Sequence, residues 1–165
     1  MLFCFNAAEV FQIAINIEEN GKAFYDQAQK LLQDAEVKAL FADLATQEVE
    51  HKKRFETLKA QLPQAASAAT VNDPEGELYA YLQMMADQHV FASRAGVEKQ
   101  LAQVKTPADA LNLAIQFEKD SVLFFLSMQD VTCEDKGLEL IRILVKEEQE
   151  HLRRLSLELK RIGRK

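Results

Sequence analysis

The stretch Gln47-Glu48-Val49-Glu50-His51 places a carboxylate three residues before an imidazole, inside a segment with the apolar period of a long helix. Residues i and i+3 share one face of a helix, so Glu48 and His51 point the same way. Because burying ionisable groups without a partner is costly, something should compensate them in a core. The rest of that face is apolar and recurs at steps of three and four: Val37, Phe41, Leu44, Phe55, Leu58 and Leu62.

The same arrangement returns 100 residues later as Glu148 and His151. Sliding the chain by that distance aligns two long helical segments without a gap. Glu18 precedes Glu48 by 30 residues, and Glu118 precedes Glu148 by 30, each on an otherwise apolar helical face. A period of this length does not suit a solenoid. Two copies of a helical hairpin instead predict a pseudo-twofold four-helix bundle.

The composition favours an all-α protein. Gly and Pro are scarce, at 5 and 3 residues, and hydrophobic residues make up 48% of the chain. The formal net charge of -6 argues against nucleic-acid binding. No apolar run approaches the roughly 18 residues of a membrane span, so no membrane association is expected.

The cysteines and the first residues bear on the compartment. Cys4 and Cys133 form no CxxC pair, which favours free thiols in a reducing compartment. The segment 1–6 lacks the charged region and long apolar core of a signal peptide. The sequence therefore predicts a cytoplasmic protein.

The helix signals divide residues 1–165 into two hairpins within one expected domain. Hairpin one is predicted at about 7–61, and hairpin two at about 107–162. The crossover over 62–106 is predicted to be partly helical, as one or two helices. The boundary signals are Asn6 and Asp34 as N-caps, Pro63 and the loop 63–74 after the second helix, Gly96 as a break or bend, and the start Thr106-Pro107-Ala108-Asp109.

Such a bundle brings six ionisable side chains together at its centre. Four adjacent carboxylates cannot all ionise unless positive charge lies among them, and two divalent cations would supply it. Mixed oxygen and imidazole ligands suit iron or manganese, and also zinc. The pattern matches that of di-iron and di-manganese carboxylate bundles. The predicted metal ligands are Glu18, Glu48, His51, Glu118, Glu148 and His151.

The segments IEENGKAFY with QEVEHKKRF, and FEKDSVLFF with KEEQEHLRR, resemble the ferritin-like superfamily and, within it, the rubrerythrin-type proteins. The resemblance covers residues 8–61 and 107–162. It implies two iron ions with redox chemistry on O2 or hydrogen peroxide. It further implies that Glu18 and Glu118 are terminal ligands, that Glu48 and Glu148 bridge both metals, and that His51 and His151 bind one metal each.

The sequence departs from the rubrerythrin pattern in two ways. Rubrerythrins carry a rubredoxin-like domain in which four cysteines bind an iron ion. The two cysteines of this chain are too few for such a site. We therefore expect a separate electron-donor protein if the metals turn over. Rubrerythrins also carry an extra acid one turn after the third-helix ligand. Here that position is Ser121, which predicts a plain six-ligand site. The sequence shows no long C-terminal extension of the kind that lines the pores of ferritin cages, so a storage shell is not expected. A homodimer is the expected assembly of such a bundle.

Several alternatives stay open at this stage. The chain is either a redox enzyme, a metal-binding or sensing module without turnover, or a scaffold whose polar core, with Arg54 or Arg154, only sets register. Tyr25 is a hydrogen-bond donor behind the ligands, a radical site or a core aromatic. His89 is expected to be structural or at the surface. Glu50 and Glu150 are expected to face solvent, with contact to a histidine ring as the less favoured alternative.

Overall fold

A computed structural model describes residues 7–61, 75–131 and 135–164, which form six helices and no strand. Two long hairpins dominate, because α1 packs along α2 and α5 along α6. Three residues separate the helices of each hairpin, so each pair is antiparallel. The predicted all-α arrangement of two hairpins and a partly helical crossover is confirmed, whereas the extent of the domain stays a prediction. The helices are α1 Ala7–Leu31, α2 Ala35–Ala60, α3 Glu77–Asp87, α4 Arg94–Leu101, α5 Pro107–Val131 and α6 Asp135–Ile162.

Two predicted helix starts carry the expected caps. The Asp34 carboxylate accepts the backbone N–H groups of Glu36 and Val37, both at 3.1 Å. At the start of α5, the Asp109 N–H donates to Thr106 Oγ1 at 3.1 Å. The Asp109 carboxylate in turn accepts the Thr106 N–H at 2.9 Å. Both starts satisfy backbone donors that an uncapped helix leaves without partners.

The predicted inward faces of the four long helices form the core. The inner stripes of α1, α2 and α5 are buried. They consist of Phe11, Ala14, Glu18, Gly21, Tyr25 and Ala28 on α1, of Val37, Phe41, Leu44, Glu48, His51, Phe55 and Leu58 on α2, and of Leu111, Ala114, Glu118, Ser121, Phe125 and Met128 on α5. On α6, Ile141, Leu144, Glu148, His151 and Leu155 are buried, whereas Leu159 and Ile162 are half-buried. Packed rings surround the centre, with centroids 5.2 Å apart for Phe55 and Phe125 and 5.1 Å apart for Tyr25 and Phe41. The bundle therefore surrounds its polar centre with a dry aromatic layer.

The crossover breaks at a different place from the one that the sequence indicates. Gly96 lies inside α4, and the break falls at 88–93. Backbone groups in the break form hydrogen bonds with side chains of other helices. Asp120 accepts the Val90 N–H at 2.9 Å, and the Asn20 amide donates to the Phe91 carbonyl at 2.9 Å. Long-range hydrogen bonds therefore supply partners for backbone groups in the break, and Ser93 caps the start of α4 by accepting the Gly96 N–H at 3.1 Å.

Some predictions fall on other parts of the chain. Asn6, Pro63 with the loop 63–74, Cys4 and Cys133 lie outside the described residues. Over the ranges that are described, no helix has both the length and the apolar character needed to cross a membrane.

Candidate metal centre

The fold brings all six predicted ligand side chains together between α1, α2, α5 and α6. Each is at most 2% exposed. They form two overlapping groups, and within each group the potential ligand atoms lie within 4.8 Å of one another. Glu18 and His51 belong to one group, which we call the Glu18–His51 position. The second group is the Glu118–His151 position, and both groups share Glu48 and Glu148.

Both imidazoles turn the same nitrogen toward this centre. His51 Nδ1 lies 2.7 Å from Glu148 Oε1 and 3.6 Å from Glu18 Oε2. His151 Nδ1 lies 3.0 Å from Glu148 Oε2 and 3.5 Å from Glu118 Oε1. The two rings stack with centroids 5.3 Å apart and an interplanar angle of 13°. The centre thus has an approximate twofold arrangement, as the 100-residue repeat predicts.

The centre lacks the partners that buried polar atoms require. In the described part of the chain, nine buried side-chain nitrogen and oxygen atoms have no hydrogen-bond partner, and all nine belong to these six residues. Native proteins leave few such groups unpaired, so their concentration in one place needs an explanation. Two divalent cations would bind these atoms, and the donor set of carboxylate oxygen and imidazole nitrogen fits them.

Protonation in the metal-free protein reflects the same crowding. Burial raises the pKa of Glu18 and Glu48 well above the ordinary value, and the charges of Glu148 and Glu118 raise it further. Burial and the charge of Glu148 likewise raise the pKa of Glu118 to about 8. Burial alone would raise the pKa of Glu148 too, but the flanking His51 and His151 lower it well below the ordinary value.

The histidines complete this charge balance. Burial alone would lower their pKa values, but the adjacent carboxylates prevail. Glu148 is the main cause of the increase in pKa for His51, to about 9, and the close carboxylates of Glu118 and Glu148 are the main cause for His151, to about 11. Without a cation, protons therefore supply the positive charge that this centre requires.

The outer nitrogen of each imidazole meets a side chain from the opposite hairpin. His51 Nε2 lies 3.1 Å from Glu147 Oε2, and the His151 Nε2–H donates to Gln47 Oε1 at 2.9 Å. Sequence reasoning missed both partners, although each lies four residues before a ligand histidine on the same helix face. These contacts hold Nε2 as the protonated nitrogen, which leaves Nδ1 for the interior.

The charged residues near the histidines have other roles. Glu50 and Glu150 lie at the surface, where they pair with Lys53 at 2.7 Å and Arg153 at 2.5 Å. The alternative of contact between these glutamates and the histidine rings is therefore wrong. The scaffold alternative, in which an arginine pairs with the central carboxylates, also lacks support from the contacts. Arg54 binds Glu147, and Arg154 binds Asp43 at 2.6 Å, both outside the six-residue centre.

Tyr25 lies directly behind one of the predicted ligands. Its hydroxyl group donates a hydrogen bond to Glu118 Oε1, and its ring is fully buried. Burial, together with the charge of Glu118, raises the pKa of Tyr25 well above its ordinary value, so the hydroxyl stays protonated. The residue at the equivalent position of hairpin two, Phe125, has no hydroxyl group. Of the open readings, the geometry favours a hydrogen-bond donor behind the ligands.

His89 is structural, as expected, and lies beside the centre rather than in it. Its Nδ1 accepts the Phe91 N–H at 3.1 Å, so its Nε2–H donates to Ser121 Oγ at 3.2 Å. Burial lowers the pKa of His89 to about 4, which keeps the ring neutral. Ser121 thus forms a hydrogen bond with His89 of the crossover.

A cavity of about 420 Å³ reaches one side of the centre. It lies where α1 and α2 meet the start of α4, with Glu18 and Glu48 among its lining residues. Lys22, Lys52 and Arg94 line it as well. The cavity therefore borders the Glu18–His51 position beneath a partly basic surface.

Taken together, the fold and the centre define a helical-bundle protein with two buried, overlapping carboxylate–histidine groups that are able to bind metal. The family model for rubrerythrin matches residues 9–159, and the chain belongs to this family. A crystal structure of a Thermotoga maritima protein, proposed to be a ferritin-like diiron-carboxylate protein, has the same fold, with a TM-score of 0.70. The two chains are 23% identical over 98% of each, and this likeness shows the fold alone. No curated protein sequence gives a significant match.

Proposed function

We propose that this protein binds two iron ions and uses them for redox chemistry on O2 or hydrogen peroxide. The observation that carries the proposal is the set of nine buried, unpartnered ligand atoms on two overlapping groups of residues. Manganese and zinc suit the same ligands, so iron is the particular part of the proposal. Membership of the rubrerythrin family supports it.

When bound, an iron pair would supply electrons to an oxidant. The chain's own residues prepare the place for it. Glu48 and Glu148 face both positions, and Glu18 and Glu118 each serve one. His51 and His151 present Nδ1, because their outer nitrogens are held by Glu147 and Gln47. The hydrogen bond from His151 to Gln47 and the close contact of His51 with Glu147 orient each ring before any metal arrives.

Other side chains control access to the centre. The phenylalanines around it exclude bulk water, which strengthens every electrostatic interaction inside. The cavity at Glu18 and Glu48 gives an oxidant a route from the surface. Tyr25 holds its proton next to Glu118 and steadies that carboxylate.

The proposal extends to partners and compartment. We propose that a separate electron-donor protein returns electrons to the iron pair, that the protein works in the cytoplasm, and that two copies associate as a homodimer. These points rest on the sequence and on the nature of the chemistry, since an iron pair that reduces an oxidant needs renewed electrons for a second turnover.

The proposal is tested by anaerobic iron(II) loading followed by mixing with O2 or hydrogen peroxide. We expect about two iron ions per chain, one for each ligand group. Rapid-mixing absorbance should show iron oxidation faster than that of free iron(II) in the same buffer. A chemical reductant with an electron-transfer reductase should then support repeated turnover.

A matched control separates the centre from the surface. Glu148→Gln removes one charge from the centre, whereas Glu150→Gln removes one from the exposed side of the same helix. Only the first should lower iron content and oxidation rate. Binding of metal without repeated turnover would favour the metal-binding or sensing module, and a chain that binds less than about one ion would refute the proposal.

A further inference from the structure

The two metal positions have equivalent ligands but different surroundings. Residues 47 and 147 are equivalent in the repeat, and each reaches across to the histidine of the other hairpin. Behind His51 stands the carboxylate of Glu147, whereas behind His151 stands the amide of Gln47. The twofold symmetry therefore holds for the six ligands but not for the residues that contact the histidines from outside, Gln47 and Glu147.

Each of these partners is held in place by further contacts. Arg54 binds the Glu147 carboxylate. The Gln47 amide donates to Asp43 at 2.8 Å, so its oxygen is the atom that faces His151. These contacts make the difference a fixed feature of the two helices rather than one of freely rotating side chains.

The chemical difference follows from the acceptors. The Glu147 carboxylate, 3.1 Å from His51 Nε2, attracts the Nε2 proton more strongly than the Gln47 amide attracts that of His151, because it carries a negative charge. Electron density at the opposite ring nitrogen rises accordingly, and partners of this kind change metal affinity by about 10-fold to 100-fold. His51 is therefore the stronger of the two imidazole donors.

The carboxylates differ in the same direction. Glu118 Oε1 accepts the hydroxyl proton of Tyr25, which withdraws electron density from this ligand. Both oxygens of Glu18 lack a hydrogen-bond partner, so nothing competes with a metal for them. The equivalent of Tyr25 in hairpin two is Phe125, which has no proton to donate.

We infer that the two metal positions are unequal, and that the Glu18–His51 position binds its ion more tightly and fills first. Glu147 and Tyr25 are the positioning residues that set this order, one by strengthening His51 and the other by weakening Glu118. This inference rests on the proposed metal pair, and it adds an order of filling that equivalent ligands would not give. The tighter position is also the one that the cavity reaches.

Titration of the metal-free protein with cobalt(II), followed by calorimetry and absorbance, tests the order. We expect two binding events whose affinities differ by about tenfold or more. His51→Ala should remove the tighter event, and His151→Ala the weaker one. Glu147→Gln should lower the tighter affinity about tenfold while leaving the weaker one nearly unchanged. Tyr25→Phe should strengthen the weaker event by a smaller factor.

The control is Glu150→Gln, which removes the same charge from the same helix without touching a histidine. It should leave both affinities unchanged. Because Glu147 is 35% exposed and the change is isosteric, folding should persist, and thermal unfolding of the metal-free variant checks this. Two equal events in the unaltered protein, or an unchanged ratio in Glu147→Gln, would overturn the inference while two bound ions uphold the metal pair. Absence of cobalt binding would overturn both.

Discussion

The two hairpins match at the centre of the bundle and differ on the outside. Both supply a glutamate, a second glutamate and a histidine at the same spacing, and all are buried. On the outer face, hairpin one has Lys22 and Asp26 at the cavity, where hairpin two has Val122 and Leu126. The comparison shows that the two hairpins keep the same ionisable residues where these are buried together, whereas their outer faces differ.

The strongest test of this comparison separates shared from unshared ligands. Glu48 belongs to both positions and Glu18 to one, so Glu48→Ala should reduce iron from about two ions per chain to below about one. Glu18→Ala should leave about one ion, because the Glu118–His151 position keeps all its ligands. Metal analysis after anaerobic loading and desalting measures both. Equal losses in the two variants would show that the positions do not share Glu48.

The pH dependence of metal binding tests the two histidines. In the metal-free protein, Glu148 and the other carboxylates raise the pKa to about 9 for His51 and about 11 for His151, against the effect of burial. A metal ion needs the neutral ring, so at neutral pH each ion displaces at least one proton. Protons compete more at low pH, and affinity should rise about tenfold per pH unit for each ion.

Cobalt(II) titrations at several pH values, with proton release followed by an indicator dye, measure this effect. Above about pH 9 the dependence should persist mainly at the Glu118–His151 position, because His151 still holds its proton there. A pH-independent affinity near neutrality would contradict the protonated state of both rings.

Positions 21 and 121 break the symmetry of the core, as glycine and serine. A Cβ atom at Gly21 would lie 2.3 Å from Phe117 Cζ, and Phe117 is itself stacked on Phe91 at 5.1 Å. Overpacking of this kind costs about 1–3 kcal/mol, more than the helix preference of alanine restores. Gly21→Ala should therefore lower the free energy of unfolding by about 2 kcal/mol in urea denaturation.

Gly96→Ala is the matched control for Gly21→Ala. Its nearest heavy atom is Ser93 Oγ at 3.4 Å, so the added methyl group fits. The substitution should be neutral or stabilise by up to about 1 kcal/mol. If the two alanine variants unfold alike, the contact between Gly21 and Phe117 does not restrict the core.

His89 packs against Phe117 and Ser121 of hairpin two, and its protonation provides a separate test of the core. Burial lowers its pKa to about 4, below the ordinary value of about 6.5 in the unfolded chain. As pH falls from about 6.5 to 4, the unfolded chain takes up this proton first, so the folded state loses stability in that range. The loss between about pH 7 and 4.5 should be about 2 kcal/mol.

Urea unfolding of the metal-free protein at both pH values, compared with His89→Gln, isolates this contribution. The variant keeps a polar side chain near Ser121 but has no proton to gain. Its stability should therefore change less with pH than that of the unaltered protein. Parallel pH dependences would mean that His89 is accessible to protons in the folded state.

The sequence by itself determined the helices, the hairpins and the six central side chains. Helical periodicity and capping are local, so residues such as Asp34, Thr106 and Glu48 indicate helix starts and inward faces without knowledge of the rest. The 100-residue repeat then pairs Glu48 with Glu148 across the bundle. Gly96 did not mark the break in the crossover, whose backbone groups bond to Asn20 and Asp120, both distant in sequence, and where Ser93 caps α4.

Only the tertiary structure decided what stands behind each ligand. Which imidazole nitrogen faces inward depends on Glu147 and Gln47, and each of these reaches its histidine from the opposite hairpin. The same holds for Tyr25, which meets Glu118 across 93 positions of sequence. A repeat predicts equal halves, because it records spacing along the chain. The different surroundings of the two halves arise from contacts between helices, and spacing along the chain carries no information about those contacts.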